Sequence, residues 1–307
     1  MRLSGAHARL RLAVTLGDPR GIGPEVVEKA AADPRVRDAA ELVFVGPRGT
    51  TIDVHESVGE WRPGGTVAHA GQLAAAAIER AVELAVSGAV HGIVTAPIDK
   101  GALRAGGTDD VGHTEMLARL TGRDVAMMLT SDRLRVVLAT THIALREVPD
   151  AVTAEVIARC AAITRAGLVH WFGIAEPRLA LCALNPHAGD SGRFGTEDDE
   201  ILAPAAARAG LAGPFPADTV FVRALRGEFD AVIAPYHDVG MTAIKVASFG
   251  RAVNVTLGLP FPRTSPDHGT ALDIAGQGIA DPSSMIEAVL LAAQLERARR
   301  VDATAAR

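Results

Sequence analysis

The sequence predicts an α/β protein with a largely parallel sheet, and three observations carry that reading. Short apolar runs alternate with longer alanine-rich stretches of helical period, the pattern of strands joined by crossover helices. The short runs are apolar throughout rather than alternating, as expected of strands covered by helices on both faces. Several of them end in a cluster of Gly, Pro, His, Asp or Thr, and in open α/β sheets ligands bind outside the carboxyl ends of strands.

In chain order, strands are expected over 12–16, 42–45, 92–95, 125–129, 135–140, 179–184, 231–234 and 252–257. Helices, with apolar residues every three or four positions, are expected over 25–32, 72–87, 153–171, 197–209 and 283–299. Residues 209–216, rich in Gly and Pro, read as loop punctuation rather than as a linker between domains. Cys182 and the Met127-Met128 pair read as core.

A chain of 307 residues with 48% hydrophobic content can bury one large core or two sizeable ones. Its 31 Lys and Arg against 36 Asp and Glu give a net charge of −5, a field that repels polyanions and argues against nucleic acid as a partner. Two cysteines, Cys160 and Cys182, form neither a disulfide framework nor a closely spaced metal pair, which suits a reducing compartment. Residues 1–20 carry Arg2, Arg9 and Arg11, but the apolar run that follows is closed at once by Gly17-Asp18-Pro19, so it reads as a first strand and not as a signal-peptide core. Stretch 85–98 lacks charge yet falls short of the roughly 18 apolar residues a membrane span needs. A soluble, cytoplasmic protein without a membrane partner is expected.

His142, His187 and His237 each follow an expected strand. Imidazole is a common neutral ligand for zinc, cobalt or nickel, and three such ligands leave a coordination position open for substrate. Asp238, beside His237, and Asp218, in Pro216-Ala217-Asp218-Thr219, are candidates to ligate or to orient a ligand, with helix N-capping the equal alternative for Asp218. The glycines of Gly17-Asp18-Pro19-Arg20-Gly21-Ile22-Gly23-Pro24-Glu25 are spaced G-x-x-x-G-x-G, which is not the dinucleotide fingerprint and leaves a tight strand-to-helix turn. Gly112-His113-Thr114-Glu115 precedes a helix expected over 116–120, where free N–H groups suit an anion and Thr114 suits a cap. Lys245, Asn254 and Arg263 are read in strand and loop positions, with Lys and Arg suited to phosphate or carboxylate and Asn to a hydroxyl or carboxylate; each taken singly reads as a solvated surface residue.

Several motifs together resemble the 4-hydroxythreonine-4-phosphate dehydrogenase family of pyridoxal phosphate biosynthesis over essentially the whole chain. They are the glycine segment 17–25, Gly112-His113-Thr114-Glu115, Ala139-Thr140-Thr141-His142-Ile143-Ala144-Leu145-Arg146, Leu184-Asn185-Pro186-His187-Ala188-Gly189, Pro216-Ala217-Asp218-Thr219-Val220-Phe221, Tyr236-His237-Asp238, and 253–265. The resemblance implies one divalent metal per site (zinc, magnesium or cobalt) held by His142, His187 and His237, with sites shared across a homodimer. It implies substrate contacts from His113, Thr114, Lys245, Asn254 and Arg263, and catalytic roles for Asp218, Asp238 and Lys245, with the proton going to Asp218, Asp238 or a water.

Segment 267–276 is similar to the nucleotide loop of the isocitrate and isopropylmalate dehydrogenase group, implying NAD or NADP held by His268, Gly269, Thr270, Ala271 and Asp273. By the same analogy the chain forms two α/β/α lobes with a cleft between them, 1–125 with 266–307, and 126–265. The implied reaction oxidises the 3-hydroxyl of 4-phosphooxy-L-threonine to the 3-oxo acid, which then loses CO2. Val239, Pro235 and Thr242-Ala243 depart from the commoner family pattern, and relatives act on 4-phospho-D-threonate or D-erythronate 4-phosphate. The rival reading from another class is a non-redox phosphometabolite binder or a phosphate acyltransferase-like protein.

Overall fold

The computed structural model describes residues 9–249 and 251–305; residues 1–8, 250, 306 and 307, which include Arg2 and the outer ends of the expected lobes, lie outside the described residues. In chain order the elements are β1 (Arg11–Thr15), α1 (Gly23–Ala32), α2 (Pro34–Ala39), β2 (Glu41–Arg48), β3 (Glu56–Glu60), α3 (Val67–Val86), β4 (Gly92–Thr95), α4 (Lys100–Ala105) and α5 (His113–Thr121). They continue with β5 (Ala126–Thr130), β6 (Arg135–Leu138), α6 (Val148–Ala151), α7 (Ala154–Phe172), β7 (Leu179–Cys182), α8 (Ala203–Ala209), β8 (Ala212–Phe215), α9 (Ala217–Leu225), β9 (Ala231–Ala234), α10 (His237–Ser248), β10 (Val253–Leu257), β11 (Arg263–Pro266) and α11 (Ser283–Ala305). The chain is α/β, and it divides into two compact units, Met1–Met116 with Pro260–Glu296, and Leu117–Leu259 with Arg297–Arg307.

In the first unit the strand order is β3-β2-β1-β4-β11, and every neighbouring pair is parallel. Strand β4 is buried along its length, as its uninterrupted apolar run requires. Helix α3 starts at Thr66, whose side chain accepts from the His69 amide at 3.1 Å, and turns an alanine-rich face inward. Strand β11 was not legible: Arg-Thr-Ser-Pro contains no apolar residue, yet all four positions are buried.

In the second unit the order is β10-β5-β6-β9-β7-β8. Strand β5 runs antiparallel to both β10 and β6, so the sheet is mixed where a largely parallel one is expected. Only residues 131–134 separate β5 from β6, and a parallel crossover needs a dozen or more. The other neighbouring pairs are parallel. The core gathers Leu129, Val136, Cys182, Val220 and Val232. Cys160 and Cys182 are both buried free thiols, and Met127 and Met128 are buried in β5, as expected.

Three further readings are corrected. Segment 209–216 contains strand β8, an edge strand whose irregular pairing with β7 tolerates Pro214. Lys245 lies in helix α10, not in a strand or loop. Helix α5 begins at His113, three residues earlier than expected, which puts His113 and Thr114 in its first turn. Among the described residues no helix is long and apolar enough to cross a membrane.

Candidate functional site

The first unit builds its strand-end region from backbone outward. Gly17 has φ +70, and a Cβ there would stand 2.1 Å from the Pro97 carbonyl oxygen; a Cβ on Gly21 would stand 2.7 Å from the Thr270 carbonyl oxygen. These glycines allow two close backbone crossings, the Asp18 amide donating to Pro97 O at 3.0 Å and the Ile22 amide to Thr270 O at 2.9 Å. The fully buried Asp18 carboxylate receives Arg20 through two bonds, Nε to Oδ1 at 3.0 Å and Nη2 to Oδ2 at 2.6 Å. The glycine segment is therefore a structural turn, as its spacing suggests.

Beside this turn sits a buried cation. Arg263 on β11 is only 1% exposed, and its guanidinium donates to the hydroxyl of Thr95 at the end of β4. Burial pulls its pKa down to about 9. His113 shields its Nε2 from water with no hydrogen-bond partner, and burial first, then the charges of Arg263 and Lys100, push its pKa well below the usual imidazole range. A neutral imidazole facing two cations suits an anion that bonds to both. Thr114 shares the first turn of α5, where N–H groups are free of helical partners. Arg263, expected on the surface when taken singly, is among the most buried residues. Sequence reasoning missed Lys100, the first residue of α4 after its Asp99 cap; the strand-end cluster Ala96-Pro97 was the signal nearest to it.

The turn after β11 carries the expected cofactor residues. His268 Nδ1 lies 3.0 Å from Gly269 O, while its Nε2 is shielded and without a hydrogen-bond partner. Thr270 O accepts the Ile22 amide, Ala271 has φ 41, and Asp273 O accepts Gln277 Nε2 at 2.8 Å.

In the second unit β6, β9 and β7 are neighbours, and His142, His237 and His187 follow their carboxyl ends. The rings of His142 and His237 approach to 5.7 Å between centroids, tilted by 44°. They line a pocket of about 130 Å³ with Thr141, Tyr236 and Asp238. His237 opens α10, and its Nδ1 lies 2.7 Å from Asp238 Oδ1, an arrangement that orients the ring and leaves Nε2 for another partner. A Cβ on Gly240 would stand 2.6 Å from Leu138 Cδ2, so the glycine lets α10 settle onto β6 and β9 and fixes the height of His237.

His187 occupies the turn Pro186–Gly189 with φ 54 and ψ 28, its ring 6.5 Å from that of Phe194. Ala188, Asp190 and Ser191 are also left-handed, at φ 54, 46 and 59. Each such non-glycine residue costs on the order of 1 kcal/mol and persists only where surroundings hold it. The holding group is Asp198, fully buried, which accepts the Leu184 amide at 2.8 Å and the Asn185 amide at 2.9 Å; sequence reasoning missed it. Among the described residues no group of three His, Cys, Asp or Glu is placed to hold a metal. Asp218 stands inside the first turn of α9, whose N-cap is Pro216, so Asp218 is not the cap. Lys245 is on α10, about two turns beyond His237. Asn254 lies on β10 opposite Leu129, with Oδ1 shielded and lacking a hydrogen-bond partner.

A sheet of this order defines a class of α/β fold that dehydrogenases and phosphotransacylases share. The isocitrate dehydrogenase of Methylococcus capsulatus shares it at 16% identity and TM-score 0.50, covering 96% of this chain and 89% of that one, a likeness of fold alone. Within that class the chain belongs to the family described as pyridoxal phosphate biosynthetic protein PdxA, whose model matches residues 17–292. The 4-hydroxythreonine-4-phosphate dehydrogenase of Chromobacterium violaceum is 43% identical over 315 residues, covering 92% of this chain and 96% of that protein. The crystal structure of the Klebsiella pneumoniae 4-hydroxythreonine-4-phosphate dehydrogenase is 39% identical with TM-score 0.83, covering 94% of this chain and all of that one.

Proposed function

We propose that this chain oxidises the 3-hydroxyl of 4-phosphooxy-L-threonine with NAD or NADP, the 3-oxo acid then losing CO2. The observation that carries the reading is the placing of Arg263, 1% exposed and bonded to Thr95, close to His113, which burial keeps neutral: a guanidinium and an imidazole N–H in the first turn of a helix are donors suited to a phosphate. His113, Thr114 and Arg263 hold the phosphate, and Lys245 and Asn254 contact the rest of the substrate. Asp218, Asp238 or a water takes the hydroxyl proton.

By their chemistry, though not by their placement within one chain, the histidine donors suit a divalent metal. Two imidazoles approach each other within one chain, and one is steadied by a carboxylate. His142, His187 and His237 would hold the ion, and imidazole donors suit zinc or cobalt better than magnesium. When bound, such an ion supplies Lewis-acid stabilisation of negative charge on the substrate oxygen. The resemblance implies a homodimer with shared sites, His142 and His187 facing His237 across the subunit boundary; within one chain, however, the His142 and His237 rings already approach to 5.7 Å, so that grouping of ligands draws no support from the ring geometry. His268, Gly269, Thr270, Ala271 and Asp273 would hold the nicotinamide nucleotide, which supplies the hydride acceptor. Two buried free thiols support a cytoplasmic setting.

The test is reduction of NAD or NADP, followed by absorbance, with protein, divalent metal and a panel of 4-phosphorylated hydroxy acids. Fastest reduction with 4-phosphooxy-L-threonine is expected. Preference for 4-phospho-D-threonate or D-erythronate 4-phosphate would move the substrate assignment, and binding without reduction would replace a dehydrogenase by a non-redox binder.

A further inference from the structure

The turn that follows β11 is attached to helix α1 at two points. At its start, the Ile22 amide donates to Thr270 O at 2.9 Å. At its end, Lys29 Nζ donates to Gly278 O at 2.9 Å and to Ala280 O at 2.8 Å, and its third bond goes to Glu25 Oε1 at 2.7 Å. An ammonium has three donors, so Lys29 is saturated. Glu25 Oε1 also accepts the Ala280 amide at 2.8 Å, and the residue is 9% exposed. Ala280 thus has both backbone groups held by one lysine–glutamate pair some 250 positions away in sequence.

Between these anchors, among the described residues, the turn's hydrogen bonds are local to it. Residues 272, 273 and 276–279 are exposed, and the backbone bonds there are short-range, Ile274 N to Ala271 O at 3.2 Å and Gln277 N to Ile274 O at 3.2 Å. Gly276 and Gly278 are left-handed, with no atom near where a Cβ would stand. An exposed turn with such sparse contacts takes its order from its ends.

We propose that Glu25 and Lys29 are positioning residues: they clamp segment 278–280 and so pre-form the turn for the nicotinamide nucleotide. The inference rests on the reading of 268–273 as the cofactor loop. A turn held in shape before binding avoids the ordering cost that a loose one meets on binding. The clamp therefore acts on dinucleotide affinity and leaves the chemical step alone.

The test uses the full-length protein carrying Lys29→Met, Glu25→Gln or Lys29→Arg. Three readouts apply: amide hydrogen exchange over 271–280, the Kd of NADH or NADPH without substrate, and the separation of KM for the dinucleotide from kcat. Lys29→Met should speed exchange over 271–280 and raise the Kd about tenfold, with kcat at saturating dinucleotide within about twofold of the parent. Lys29→Arg should restore most of both. Should Lys29→Met fold poorly, Glu25→Gln tests the same contact, because it keeps an acceptor for Ala280 and weakens only the ion pair. Unchanged exchange, or faster exchange with unchanged Kd, overturns the clamp. An Asp273→Ala control separates the two ideas: a Kd raised by Asp273→Ala but not by Lys29→Met overturns the clamp alone, and a Kd moved by neither overturns the cofactor reading with it.

Discussion

The guanidinium of Arg263 on β11 donates to the hydroxyl of Thr95 on the adjacent strand β4, and both side chains are sealed from water. The contact aims a cation from one strand end toward the first turn of α5, where His113 stands. Replacing Arg263 by Ala should weaken a phosphorylated ligand by about 1.5–3 kcal/mol more than its dephosphorylated analogue, the range for hydrogen bonds to charged groups. Calorimetric titration of both ligands measures the difference. An equal loss on the two would assign Arg263 to another group.

The same residue sets a pH limb. Its pKa in the folded chain is about 9, below the ordinary 12.5, so the buried cation opposes folding below pH 9 and that penalty fades as pH rises from 9 toward 12.5. Anion binding has the opposite sign: it needs the cation and itself raises the pKa, so affinity for inorganic phosphate should fall at some pH above 9. His113, already neutral at pH 7, contributes nothing to this limb. Titrations at rising alkaline pH should show the fall in the parent protein and its absence in Arg263→Ala; a matching fall in both would remove Arg263 as the cause.

Each of His142→Ala, His187→Ala and His237→Ala should stay folded yet lose most bound metal and nearly all turnover, since two ligands hold a divalent ion poorly. Metal content by elemental analysis and melting temperature check the two halves of the statement. Mixing His187→Ala with His237→Ala chains tests the shared site, because a heterodimer can regain one complete site of two. Heterodimers seen by native mass spectrometry that remain inactive would mean that each chain builds its own.

Asp198→Ala removes the acceptor for the Leu184 and Asn185 amides. Two buried donors left without partners should cost about 1–3 kcal/mol each. The four left-handed residues at 187, 188, 190 and 191 should relax, so metal should dissociate faster than the lowered melting temperature alone accounts for. Retention of metal at the parent's rate would show that the turn holds itself.

What the sequence discloses divides along a physical line. Apolar runs place Gly92–Thr95 and Ala231–Ala234 at their observed bounds, because strands buried on both faces are most often apolar throughout. Strand β11 escapes the same reading because its burial is of Arg, Thr, Ser and Pro. Helix α10 escapes it because Gly240 is needed to seat the helix, and a glycine inside a helix weakens the signal. At the site, three histidines at strand ends are legible, whereas the order β6-β9-β7 that makes those ends neighbours is a property of topology. Lys100 and Asp198 could not be singled out, since Lys and Asp are common and only their surroundings distinguish them. Arg263 is recovered only through resemblance, because burying an arginine runs against its general preference for water.

Strand β11 joins the first unit 168 positions after Thr95, the partner of Arg263. During synthesis at about 5–20 residues per second, those positions take on the order of ten to thirty seconds to appear. Through that interval the nascent chain presents β1, β2, β3 and β4 with the β11 edge of β4 bare, while the whole of 117–259 emerges and can fold. The surroundings of His113 thus acquire their arginine late in synthesis. A chain that ends before residue 263 would carry 117–259 of the second unit without its 297–307 segment, and a first unit without β11 and its arginine.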